Sequence, residues 1–142
     1  MLGMKHYTQE YREACGARVE ADLRAYRKRA GAAPSEEFEW RFFNDQVLLL
    51  DYMFVHRLTG IEGKDGNPLN EVRVLCDSLL LNGGRLQVGK LPEWPMSAGS
   101  GIKLPPEKSV LKLRQGDEIR LREADFVRLA EAFFGEIEKR YS

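Results

Sequence analysis

Residues 47–55 read VLLLDYMFV, the most apolar run in the chain, interrupted only by Asp51. The run sits inside a longer segment, 38–59, with Phe38, Trp40, Phe42, Phe43, Met53, Phe54 and Leu58. Wound as a helix, these residues cover most of the circumference over the second half. A helix apolar nearly all round must be enclosed by neighbours or by a second subunit. Ser35 supplies an N-cap and Glu36 and Glu37 suit the positive end of the helix dipole. The apolar run is too short to span a bilayer. The segment is therefore predicted to be the central helix of a mainly helical fold.

Three further helices are predicted around it. In 5–30, Tyr11, Cys15, Val19, Leu23 and Tyr26 recur at three- and four-residue steps, so they share one face. Gly31 is a natural stop. Asn67-Pro68 reads as an N-cap followed by proline at the first helical position, opening a helix that runs to Leu81. Asn82-Gly83-Gly84 closes it. The last helix, 123–141, has the clearest periodicity, through Phe126, Leu129, Ala130, Phe133, Phe134, Ile137 and Tyr141. Before it, 109–121 alternates apolar and charged residues around Gly116-Asp117, which predicts a small β-hairpin. Residues 84–108 form a long Pro/Gly-rich connection. A connection of this length serves as a lid, an assembly arm or a packed loop. Leu86, Val88, Leu91, Trp94, Met96, Ile102 and Leu104 predict a tethered strip, with 97–101 mobile.

The chain of 142 residues fits a single domain, 1–142, that needs no staples. Its 22 basic and 22 acidic residues cancel. That balance gives no support to a general nucleic-acid binder, which needs excess positive charge to release counterions. Cys15 and Cys76 form no metal-binding or redox pair, and read as reduced, buried thiols. No apolar stretch of signal-peptide length occurs in 1–11. These features predict a cytoplasmic protein with no membrane association.

Candidates for chemistry are few. No serine stands in a nucleophile elbow, and the glycines match neither a phosphate loop nor a dinucleotide fingerprint. The histidines and acids lack metal-ligand spacing, so neither metal nor cofactor is expected. Catalytic residues are not assignable. What the sequence does bring together is a corner at 56–73. There His56, Arg57, Lys64, Asn67, Asn70 and Arg73 surround the start of the helix at Pro68. Helix N-termini with adjacent cations bind phosphates and carboxylates, which predicts a small-anion site. The plainer reading is that Asn67 and Asn70 cap the helix while Arg57 pairs with Glu62 or Glu71. A third reading makes His56 a general acid–base, oriented by Asp51 or Glu71. Asp51 and His56 are five apart, so they do not meet on one helix.

The stretches VLLLDYMFVHRLTGIEGKDGNPLNEVRVLCDSLLLNGG and KSVLKLRQGDEIRLREADFVRLAEAFFGEIEKRY resemble a bacterial family of uncharacterised conserved proteins. The likeness covers most of the chain after Trp40. It implies a bacterial, intracellular origin and no particular activity. The leading functional expectation is an interaction module that self-associates, as a homodimer built on the central or the last helix.

Overall fold

The computed structural model describes residues 3–31, 35–91 and 101–142. It is mainly helical, with the order α1 (Gln9–Ala30), α2 (Glu36–Tyr52), α3 (Thr59–Glu62), α4 (Pro68–Leu81) and α5 (Glu123–Tyr141). Each long helix starts where local chemistry dictates. Thr8 accepts from the Tyr11 amide ahead of α1 and Ser35 from the Phe38 amide ahead of α2. Asn67 accepts from the amides of Leu69 and Asn70. Helix α4 ends as the asparagine–glycine run predicts. The amides of Asn82 and Gly84 both donate to the Ser78 carbonyl, and Gly84 takes φ +79°, which glycine adopts without a Cβ clash.

Helices α2, α4 and α5 pack together, and α1 lies against α5. The core strip of α2 is Phe43, Val47 and Leu50, all fully buried and spaced three and four apart. Phe54 extends the strip past the end of the helix and meets Tyr7, Tyr11, Phe133 and Phe134 edge-on or tilted. Aromatic pairs of this geometry add about 0.5–1.5 kcal/mol each beyond area burial. Phe126, Leu129, Phe133, Ile137 and Tyr141 of α5 close the other side.

Two expectations for the central helix need correction. It ends at Tyr52, not at Thr59, and it is not covered on nearly every side. Tyr52 is 73% exposed, while Leu48 and Leu49 are only partly buried. The helix stops because its last turn tightens. The Phe54 amide donates to Asp51 and the Arg57 amide to Phe54, both three residues back. The Arg57 side chain then folds back on the Phe54 carbonyl and the Asp51 carboxylate.

The predicted β-hairpin over 109–121 does not form, and no strand occurs among the described residues. The turn at Gly116 does form, but its flanks do not pair with each other. Instead Glu71 takes the amides of Val110 and Leu111 at 2.7 and 3.0 Å and the Ser109 hydroxyl at 2.9 Å. Those amides are then unavailable to a ladder. Residues 116–119 turn instead to 84–86. The Leu86 amide donates to Asp117, the Gly116 amide to Leu86, and the Ile119 amide to Gly84, each at 2.8 Å. Asn44 of α2 clamps the next residues, donating to the Ile119 carbonyl and accepting from the Leu121 amide. In the long connection, Leu86, Leu91 and Ile102 are buried. The continuous strip expected there depends on 92–100, which lies outside the described residues.

Candidate functional site

The turn after α2, helix α3 and the start of α4 form one corner, built around a buried arginine. The Arg57 side chain is fully buried. One guanidinium nitrogen donates to Asp51 at 2.7 Å and to Glu62 Oε1 at 3.2 Å, and the other donates to the Phe54 carbonyl at 2.9 Å. Its Nε sits 3.0 Å from Glu62 Oε2 but out of line for a hydrogen bond, so that contact is ionic. The ring of Phe133 lies 5.8 Å from the guanidinium carbon. Burial by itself would lower the Arg57 pKa, but the charges of Asp51 and Glu62 outweigh it and hold the guanidinium protonated.

Glu62 is the second hub. Besides Arg57, it accepts from Arg73 Nε and an Arg73 terminal nitrogen, each at 3.3 Å. Its carbonyl accepts from Asn67 Nδ2 at 2.7 Å, and Arg140 of α5 donates to the carbonyls of Ile61 and Glu62. Asn70 donates to the Gly63 carbonyl and accepts from the Gly66 amide. Gly66 has φ +89°, and a Cβ there would lie 2.7 Å from Pro105, so only glycine lets the 103–105 segment approach. Asp65 holds its carboxyl below the ordinary value, chiefly through the bond from Asn67 and then through Lys108 and Arg140.

The sequence-predicted residues therefore come together only in part. Arg57, Asn67, Asn70 and Arg73 meet, and all are engaged with carboxylates or backbone of the protein itself. Arg57 pairs with Glu62, as the plainer reading has it. Lys64 stands exposed on the outer edge of the corner. His56 is exposed, and its carbonyl accepts from the Met4 amide of the N-terminal segment. Neither of its suggested orienting groups faces it: Asp51 is paired with Arg57, and Glu71 with the 109–111 segment. Asp51 and Arg140 complete the network, yet neither was legible as part of it. Asp51 reaches Arg57 because the helix ends between them, and Arg140 arrives from 78 residues further along the chain.

The two cysteines are buried and unpaired. Burial pushes both thiols up, Cys76 well above the ordinary value, so neither is an activated nucleophile. No group of three or more candidate metal ligands occurs among the described residues. No helix among them is long and apolar enough to cross a membrane. No protein-family model, curated protein or solved structure matches the chain.

A different surface feature surrounds the corner on its N-terminal side. Met4, Tyr11, Tyr52 and Val55 are 45%, 42%, 73% and 39% exposed. They converge on the turn after α2, where the Tyr11 hydroxyl donates to the Met53 carbonyl and the Met4 amide to His56. Beneath them Tyr7 stacks on Tyr11 and its hydroxyl reaches the Phe54 carbonyl.

Proposed function

We propose that this chain is a non-catalytic interaction module of the bacterial cytoplasm that self-associates as a homodimer. The observation that carries the reading is the apolar patch of Met4, Tyr11, Tyr52 and Val55, gathered on one turn and left exposed. Grouped apolar exposure, unlike scattered single residues, marks a surface that another molecule covers. A two-fold contact places one such patch against its own copy and needs no second complementary surface. Aromatic side chains with few rotatable bonds, such as Tyr11 and Tyr52, suit the centre of an interface. The apolar stripe of α5 is consumed in the core, so the patch at the end of α2 is the better interface. The buried, protonated thiols and the internally paired arginines support a non-catalytic role.

Sedimentation velocity over a concentration series tests the reading. The parent is expected to dimerise, and Tyr52→Glu and Val55→Glu to remain monomeric with an unchanged melting temperature. A parent that stays monomeric at every accessible concentration would rule the dimer out.

A further inference from the structure

Helix α1 lies on the rest of the molecule along one strip, Cys15, Val19, Leu23 and Tyr26, and turns the opposite face outward. Glu10, Glu13, Ala17, Ala21, Arg24 and Lys28 recur there at three- and four-residue steps, and all of them are exposed. The face is segregated by charge, with acids at its start, bases at its end and alanines between. The helix dipole accounts for Glu10 in the first turn and Lys28 in the last, but its influence fades beyond those turns. Glu13 and Arg24 lie outside them.

Charges on the flanks of α1 are answered within the chain. Arg18 pairs with Asp22 and Arg27 with Glu123, and Arg12 donates to the Tyr7 carbonyl. Those that face outward are not. Among the described residues Glu10, Arg24 and Lys28 make no ion pair, and Glu13 accepts only from the neutral Gln9 amide. Glu20 stands one turn before Arg24 without pairing with it. Arg24 and Lys28 are like charges one turn apart, which disfavours the helix until an acid stands opposite them. The sequence that follows the helix, 31–35, is uncharged and brings no such acid.

We infer that the outward face of α1 pairs antiparallel with the same face of a second copy of this chain. A two-fold axis near Ala17 and Ala21 sets Glu10 and Glu13 of one copy opposite Lys28 and Arg24 of the other, and symmetry repeats the contacts. The alanines at the crossing let the two helices approach closely. A partner of a single sign answers one end of the face and is repelled at the other, and a parallel pairing sets like charges together. The contact is separate from the apolar patch and uses none of its residues. Exposed ion pairs contribute little each and are screened by salt, so by itself it forms at low ionic strength.

Sedimentation velocity on the Tyr52→Glu chain, which removes the patch contact, isolates this one. At an ionic strength of about 10 mM, where the screening length is about 30 Å, that chain is expected to dimerise, and at about 150 mM to be monomeric. Adding Arg24→Glu with Lys28→Glu should keep it monomeric at both, as should adding Glu10→Lys with Glu13→Lys. The two pairs of substitutions alter opposite ends of α1, and each variant is read beside its melting temperature. An equimolar mixture of the two variants should form a heterodimer, and the chain carrying all four substitutions should self-associate again. Lys90→Glu with Lys139→Glu, the same change of net charge at exposed positions elsewhere, should leave the association as it was. Absence of association at low ionic strength overturns the inference, as does undiminished association in either α1 variant or failure of the mixture to associate. Equal loss in the Lys90 and Lys139 variant also overturns it, by reducing the effect to net charge. Dispersal of the pair by oligothymidylate at matched ionic strength overturns it in favour of a polyanion site.

Discussion

Glu62 at the end of α3 and Glu71 in the first turn of α4 are both buried, and are satisfied in opposite ways. Glu62 is answered by charge, from Arg57 and Arg73. Glu71 is answered by neutral donors alone among the described residues: the Ser109 hydroxyl and the amides of Val110 and Leu111. The first arrangement closes a knot between three neighbouring turns. The second holds a distant loop against a helix without any β-ladder. An ion network of this kind removes charges from water and repays only part of that cost, so its members are hard to delete singly. A carboxylate that accepts several backbone amides instead supplies, from one side chain, what a neighbouring strand would have supplied.

Glu62→Ala breaks the first arrangement and should have the largest effect. It leaves Arg57 and Arg73 facing a cavity, and removal of one partner from a buried ion network costs about 3–5 kcal/mol. Denaturant unfolding measures this; a loss below about 1 kcal/mol would show that water or Asp51 alone suffices for Arg57. Glu71→Gln sharpens the contrast from the other side. The amide retains one acceptor but turns a donor toward other donors, at a cost of about 2 kcal/mol. Hydrogen exchange should accelerate at 109–112 and not in the corner. Uniform acceleration through α4 would mean that the loop and the helix do not open separately.

Tyr141 gives the smallest and most specific test. Its hydroxyl donates to the Leu58 carbonyl at 2.9 Å, and burial, followed by the charge of Glu62, pushes its pKa from 10.0 up to about 12. The folded value lies above the unfolded one, so this contribution is complete below pH 10 and is lost as pH rises toward 12. Tyr141→Phe should cost about 1 kcal/mol at neutral pH and flatten the loss of stability above pH 10. An alkaline profile identical to the parent's would remove Tyr141 from that account.

The elements legible in the sequence were those with local punctuation. Asn67-Pro68 fixed the start of α4, and the Phe126-to-Tyr141 stripe fixed α5 at the bounds the structure has. The end of α2 was not legible, because no glycine or proline marks it; a side chain five residues beyond Tyr52 turns the backbone. The alternation of 109–121 was legible but ambiguous. Alternating apolar residues serve a strand or an irregular segment docked on helices equally, and a glutamate 38 residues earlier decided between them. At the corner, the residue types pointed correctly to the Asn67 cap and the Arg57–Glu62 pair, whereas Asn70 does not cap α4 but ties the Gly63 carbonyl to the Gly66 amide. The direction in which those groups face was not written in their spacing. Lys64 stood out in the sequence, whereas Lys103 became its neighbour only when 103–105 folded back over Gly66.

The sequence by itself determined the helical class, the caps and the long helices, because these depend on periodicity and on contacts within a few residues. Tertiary structure alone decided where α2 stops, which carboxylate meets which donor, and which apolar and basic side chains remain at the surface. Those outcomes depend on residues brought together from far apart in the chain, and no local pattern encodes what a side chain will meet there.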